Sequence, residues 1–306
     1  MPHIARPTRP LADVNVLPQS DGSNKIVVCF MPDMRRIYGE GTIRAFLAID
    51  GSASMCPMYG IGSSVFMKLQ NYVEAVAIKI GKYLTEVTNP AKAASIYWAV
   101  SPDGGKIEGI GEFDETGWDN AKISGPKTEK WGKGTKLLPS IKYGWETVFP
   151  GSKCTIGVII TDGIIDDEQD CINYCLQIGQ QLNGQEPAPF KLVIIGAGES
   201  VDEGQLDRLN DMFEGTGIDY DLFGAGLVSN MKEEADILNV LYGELMTKDT
   251  IIANNGRVED SKGNVLISWS DAMPGKFEFK LPKGEKQFTI RVPGADIVQD
   301  VSEAIP

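Results

Sequence analysis

The stretch Phe46–Met55 reads "FLAIDGSASM". Its unbroken apolar start suits a strand buried on both faces, and an acid, a glycine and two serines spaced one apart follow at the exit. Asp50, Ser52 and Ser54 thus present side-chain oxygens where the strand stops, which makes either a turn or a site. Working outward, residues 43–247 alternate further apolar runs with longer segments of helical period, the pattern of a parallel sheet covered on both faces. The runs are "RAFLAID" (44–50), "SIYWAV" (95–100), "KIEGIGEF" (106–113), "TIGVIITD" (155–162), "KLVIIGAG" (191–198) and "DYDLFGAG" (219–226). They predict a doubly wound, mostly parallel six-stranded α/β sheet of Rossmann-like type. Between the second and third runs lies "SPDGGK", whose Asp-Gly-Gly predicts a hairpin and hence one antiparallel edge.

Helical stripes fall between the strands. Val65, Leu69, Tyr72, Val73, Val76 and Ile80 recur at three- and four-residue spacing. Similar stripes are Ile172, Cys175, Leu176 and Leu182; Leu206, Leu209 and Phe213; and Ile237, Leu238, Leu241 and Leu245. After residue 250 the texture shifts to the short segments "TIIAN", "NVLISWS", "KFEFKL" and "QFTIRV" between turn residues, a small antiparallel β unit over 248–306. So short a segment is marginal for a core of its own. It is expected to lean on the main domain or to pair with the early strand "NKIVVCF" (24–30) within 23–42. Residues 1–22, rich in proline and poor in apolar clusters, read as a flexible leader.

The whole chain has 306 residues, a formal net charge of −13 and a pI near 4.7. That field repels nucleic acid and anionic membranes, which are bound through clustered Lys and Arg. Neither a signal-peptide core nor a run of roughly 18 apolar residues occurs, so the expected place is the cytoplasm. Five cysteines (Cys29, Cys56, Cys154, Cys171 and Cys175) lack the spacing of a disulfide framework and are expected to be reduced. Cys171 and Cys175 stand one helical turn apart, but no second pair completes a zinc site, and packed small residues are the plainer reading. The single histidine is His3, which leaves no imidazole base for a Ser-His-Asp mechanism.

Chemistry concentrates at strand ends. In an open parallel sheet, ligands bind at the carboxyl edge where the winding direction switches. Asp50 ends the first strand and Asp162 the fourth, and between them "EKWGKGTKLLPS" offers Gly132 and Gly134 for close backbone approach, with Thr135 adding a hydroxyl. Two carboxylates and three hydroxyls are hard oxygen donors, suited to Mg²⁺ or Mn²⁺ and poor for zinc or copper. Hydroxyl ligands leave a divalent cation under-neutralised, so it attracts an external carboxylate. Each piece also has a plain structural reading: Asp50 with Ser52 as a helix cap, Thr135 as another, and Asp162-Gly163 as a turn. Asp166 and Asp167 read as first-turn helix acids. Met55, Cys56 and Met58 form a soft rim beside the site or pack under its loop.

"DGSAS" at Asp50–Ser54, "GKGT" ending at Thr135 and "TDG" at Thr161–Gly163 resemble the three parts of the metal-ion-dependent adhesion site (MIDAS) of von Willebrand factor type A (vWA) domains, in order over residues 43–247. The resemblance implies a cation held by Asp50, Ser52, Ser54, Thr135 and Asp162. It further implies a bacterial, intracellular, non-enzymatic module whose metal accepts an acidic residue from a partner protein. Intracellular relatives of that kind often serve AAA-type ATPase assemblies or stress-response complexes such as those of tellurite resistance. Lys133 departs from the family's usual Gly-Gly-Gly-Thr; it either steers an acidic ligand or is simply solvated.

Two other classes compete. A haloacid dehalogenase-like phosphotransferase would use Asp50 as nucleophile, yet it needs a second acid where Ser52 stands. Dinucleotide binding would need G-x-G-x-x-G, which neither Gly196 and Gly198 nor Gly224 and Gly226 continue. A structural scaffold with a vestigial metal site is the third reading. Movement of the last helix, "MKEEADILNVLYGEL" (231–245), on ligation is a further expectation.

Overall fold

The computed structural model describes residues 4, 7–33, 37, 39–62, 70–185, 187–197, 200–228, 241–243, 245 and 250–305. The chain divides into two compact units, one formed by Met1–Pro32 with Tyr242–Pro306 and the other by Asp33–Leu241.

The first unit begins with β1 (Leu11–Pro18), antiparallel to β2 (Asn24–Phe30) with Val14 opposite Val28 and Val16 opposite Ile26. Residues 11–18 are thus a strand where the sequence suggests a leader. In "LADVNVLP" the period-2 alternation buries Val14 and Val16 completely, and Pro18 merely ends the run.

The larger unit carries β3 (Ile43–Asp50), β4 (Ala93–Val100), β5 (Lys106–Phe113), β6 (Cys154–Thr161), β7 (Phe190–Ala197) and β8 (Phe223–Val228), in the order β5-β4-β3-β6-β7-β8. All neighbours are parallel except β5, which runs antiparallel to β4. Every residue of β6 and β7 is buried, as strands covered on both faces must be. The "SPDGGK" hairpin supplies the antiparallel edge. Only the sixth run is displaced, the strand lying at 223–228.

Helix α1 (Tyr72–Val87) is capped by Asn71, whose side chain accepts from the backbone N–H of Glu74 at 3.0 Å. It packs on β3 and β4 and buries Val73, Val76, Ala77, Ile80 and Leu84. Val65 and Leu69 of the expected stripe lie outside the described residues. Short α2 (Glu115–Asn120) lays Trp118 on α1, against Gly81, where a Cβ would stand 2.2 Å from the ring. Phe46, Ala48, Ile96, Trp98, Leu192 and Ile194 belong to one core with α3 (Leu138–Lys142, continuing as a π turn over Tyr143–Val148), α4 (Glu168–Leu182) and α5 (Glu203–Asn210). By alternation Leu47 and Ile49 face the other way, so the sheet is doubly wound. On α4 the fully buried stripe is Cys171, Cys175, Ile178 and Leu182, with Ile172 and Leu176 half-buried at its margin. The segment expected as a last helix, with Ile237 and Leu238, lies almost wholly outside the described residues.

After residue 250 come β9 (Ile251–Ala253), β10 (Gly256–Asp260), β11 (Val265–Trp269), β12 (Met273–Pro274), β13 (Lys276–Leu281), β14 (Gln287–Val292) and β15 (Ala295–Asp300). Strand β13 joins β2 to complete a three-stranded sheet, and β11-β10-β14-β15 form a second. Phe279 of the first sheet meets Phe288 of the second edge-on at 5.0 Å. Strands β10 and β15 have no counterpart among the four segments visible in the sequence. Glu259 is buried in β10 because Arg257 and Arg291 pair with it, which hides the strand from a hydropathy reading. Among the described residues, no helix is long and apolar enough to cross a membrane.

Candidate metal centre

Strands β4 and β6 flank β3, so the winding direction changes between β3 and β6. The register sets Ile49 opposite Ile160, which brings Asp50 level with Thr161 at the carboxyl edge. Thr161 Oγ1 donates to Asp50 Oδ2 at 2.8 Å, and the Ser52 backbone N–H donates to Asp50 Oδ1 at 2.7 Å. From there a chain of oxygens runs outward. Ser52 Oγ and Ser54 Oγ lie 2.9 Å apart, and Ser54 Oγ donates to Asp162 Oδ1 at 2.8 Å. Ser54 spends its one proton on Asp162, so Ser52 is the donor to Ser54. Four of the five expected residues therefore form one connected cluster across two strand ends.

Thr135 enters differently. Its backbone N–H donates to Asp166 Oδ2 at 2.8 Å and its carbonyl accepts from the Asp166 N–H at 2.9 Å. Its Oγ1 stands 3.9 Å from where a Cβ on Gly163 would be, beside the Asp162-Gly163 turn, but no hydrogen bond ties it to the other four. The loop bearing Thr135 is pressed against the first: Ala53 N–H donates to the Gly132 carbonyl at 2.8 Å and Gly132 N–H to the Gly51 carbonyl at 3.1 Å. A Cβ on Gly132 would lie 1.9 Å from the Ala99 carbonyl oxygen, so only glycine fits there. Ala99 itself is left-handed at φ 52°, a backbone state that non-glycine residues adopt mainly where tertiary contacts hold it.

Sequence reasoning missed a clamp. Asp166 and Asp167 stand just before α4, but their carboxylates act across to the loop at Thr135–Leu138. Asp167 makes no side-chain cap; its two carboxylate oxygens accept from the backbone N–H groups of Leu137 (2.7 Å) and Leu138 (3.0 Å). The acids were visible, but their distant backbone partners leave no mark in a sequence. Met55 is fully buried under the loop and Cys56 is half-buried. Cys29, Cys154, Cys171 and Cys175 are buried and in no disulfide, and burial pushes Cys175 up to about 12.

The electrostatics are unbalanced. Asp50 is fully buried and Asp162 is 7% exposed, and neither has a basic partner among the described residues. Burial, with the neighbouring Asp162 charge adding to it, raises Asp50 to about 7 against the hydrogen bonds from Ser52 and Thr161. Burial also raises Asp162, with Ser54 opposing. No group of three or more His, Cys, Asp or Glu able to hold a metal occurs among the described residues, here or elsewhere. This cluster has just two acids and draws its other donors from hydroxyls. Two sequestered carboxylates without a counter-charge, and oxygen donors throughout, fit a hard divalent cation.

No family model matches the chain, and no curated protein matches it either. Similar solved structures include a von Willebrand factor type A protein from Catenulispora acidiphila, 14% identical with a TM-score of 0.41 over 97% of this chain and 73% of that one. The pilus adhesin SpaC from Lactobacillus rhamnosus GG is 8% identical with a TM-score of 0.43, over 94% of this chain and 48% of that one. Proximal thread matrix protein 1 from the mussel byssus, described with a zinc-occupied MIDAS motif, is 12% identical with a TM-score of 0.43, over 71% of this chain and 47% of that one. The chain thus spans about half the length of the latter two structures.

Proposed function

We propose that residues 43–247 form a divalent-cation-dependent protein-interaction module whose bound ion accepts an acidic side chain from a partner protein. The observation that carries this reading is the buried Asp50 and Asp162 pair, linked through Ser52 and Ser54 and without a basic partner among the described residues. Asp50, Ser52, Ser54, Thr135 and Asp162 would hold Mg²⁺ or Mn²⁺. The ion supplies a positive centre at a protein edge, with room in its coordination for an outside carboxylate. The chain's own part is to fix the oxygens: Thr161 and the Ser52 N–H orient Asp50, and the Gly132 bridge and the Asp166 bond hold the Thr135 loop beside them.

A phosphotransferase reading is weaker. A nucleophilic Asp50 would need a second acid two residues on as its general acid, and that position is Ser52. The test is calorimetric titration of the chelator-treated chain with Mg²⁺ and Mn²⁺, beside Thr135→Ala. Saturable binding that weakens at least tenfold in the variant is expected. Absence of saturable binding by either ion to the intact chain would overturn the proposal, and turnover of a phosphoester lost in Asp50→Asn would favour the enzyme.

A further inference from the structure

From Lys122 to Lys136 the sequence "KISGPKTEKWGKGTK" sets five lysines against one acid, Glu129, in a chain whose Asp and Glu outnumber its Lys and Arg 42 to 29. A segment so far against the charge of its own chain makes a local field of opposite sign, and such fields attract ligands of the matching charge. The contacts show which lysines are engaged. Lys122 lies 4.0 Å from Glu74 and Lys136 3.2 Å from Asp103. Lys127, Lys130 and Lys133 are exposed, and none of the three has an acidic partner among the described residues.

The path of this segment is fixed by its backbone, not by its lysines. Glu108 of β5 accepts from three consecutive N–H groups, those of Lys127 (2.8 Å), Thr128 (3.1 Å) and Glu129 (2.8 Å). Glu129 in turn pairs with Lys106 at 3.0 Å, so it does not neutralise its lysine neighbours. The Ser101 N–H donates to the Lys130 carbonyl at 2.8 Å, Trp131 bridges to Val100, and Gly132 bridges to Ser52. The three lysines thus stand at every third residue along an anchored stretch, within a span of at most about 20 Å.

The chemistry of the ridge narrows what lies on it. A nucleic acid carries a phosphate at every nucleotide, far more charge than three lysines neutralise, and would meet the field of a chain of net charge −13. The ridge also lacks arginine, and its one aromatic, Trp131, is half-buried against Tyr59 at 5.1 Å, which leaves no open ring for a base to stack on. A membrane surface meets the same repulsion. Carboxylates at intervals along a polypeptide match the charge, the spacing and the modest number of lysines.

We propose that Lys127, Lys130 and Lys133 form a basic ridge that binds an acidic segment of a partner protein, with carboxylates about three residues apart. The ridge acts by charge and needs no bound ion, so it goes beyond the cation-dependent reading and stands or falls apart from it. The probes are Ac-Gly-Glu-Gly-Gly-Glu-Gly-Gly-Glu-Gly-NH2, the same peptide with Gln for each Glu, and the oligonucleotide dTdTdTdT with its three phosphates. Each is titrated into the full chain in chelator, at about 0.01 M and about 0.15 M ionic strength, with binding read by NMR shift changes.

The Glu peptide is expected to bind at low ionic strength and to weaken steeply at the higher one, and the Gln peptide not to bind. At about twofold for each exposed pair, the triple variant Lys127→Gln/Lys130→Gln/Lys133→Gln should weaken the Glu peptide roughly tenfold. Its melting should match the parent's, since exposed lysines away from ion pairs add little to stability. A control with the same change of net charge, Lys92→Gln/Lys283→Gln/Lys286→Gln, should bind like the parent. Equal binding of the Glu and Gln peptides, no loss in the triple variant, or an equal loss in the control would overturn the ridge. Tighter binding of the oligonucleotide than of the Glu peptide would overturn the choice of an acidic protein segment. Salt-sensitive dimerisation in sedimentation, abolished by the triple variant, would overturn it in favour of a second copy of this chain.

Discussion

In the cation-free protein, folding stability should fall as pH rises from about 4 to 7, and Asp50→Asn should remove most of that fall. Asp50 is raised from 3.8 to about 7 in the folded state, so between those values the native chain holds a proton that the unfolded chain has released. Stability then decreases with pH, because the unfolded state binds fewer protons than the native one. The contribution is fully present below about pH 4 and is lost as pH passes 7. Three units at 1.36 kcal/mol each give about 4 kcal/mol as the cost of ionising Asp50 in its dry site. For a unit of this size that corresponds to roughly 10 °C in Tm. Asp162, raised in the same direction, adds to the effect.

Asparagine keeps an acceptor for the Ser52 N–H and avoids the charge, so at pH 8 in chelator the variant should melt higher than the parent, with a smaller gap at pH 5 and near-coincidence only towards pH 4. Mg²⁺ should narrow that gap at pH 8: against a deficit of about 4 kcal/mol the parent gains about 2.7 kcal/mol at a hundredfold excess over Kd, and the variant gains little. Thermal and urea unfolding of the full chain at pH 5, 6.5 and 8, with Mg²⁺ and with chelator, would show this. A parent Tm that is flat across that range in chelator, or equal Mg²⁺ stabilisation of both proteins, would refute the reasoning.

Other substitutions probe the scaffold around the cluster. Asp167→Ala strands the N–H groups of Leu137 and Leu138 and should cost about 2–4 kcal/mol in urea unfolding, with Asp167→Asn recovering about half through its remaining carbonyl. Gly132→Ala sets a Cβ against the Ala99 carbonyl and should cost about 3 kcal/mol or more. Because the same change parts the two loops, Mg²⁺ should also stabilise that variant less than the parent; an unchanged Mg²⁺ effect would separate the glycine from the site.

How far the fold could be read depended on which physics shaped each strand. Strands β3, β6 and β7 are buried on both faces, so their composition is continuous in Val, Ile, Leu and Phe, and they stand out whatever the register. Strands of the smaller unit show one face only. In β1 the alternation is complete, yet Pro18 and the prolines before it made the segment look loose. In β10 Glu259 lies on the face opposite Val258, buried by the arginines that pair with it, and one of these, Arg291, comes from another strand, 32 residues away. Hydropathy cannot register a charge that is neutralised from a distance.

The same distinction runs through the site. Asp50, Ser52, Ser54 and Asp162 were legible because each sits at the end of a legible strand, and strand order alone brings β3 beside β6. Thr135 was legible as a motif but not as a position: its loop is placed by backbone bonds to Asp166 and by the Gly132 bridge, which any sequence could make or fail to make. Asp166 and Asp167 looked like ordinary helix-start acids for the same reason. Asp167 gives up the local cap for a remote pair of N–H groups, so the carboxylate at this helix start holds a distant loop in place of its own first turn. The loop so held is the one that brings the Thr135 hydroxyl to the Asp162-Gly163 turn, where two buried carboxylates have no basic partner among the described residues, and a plain turn would have no need of that arrangement.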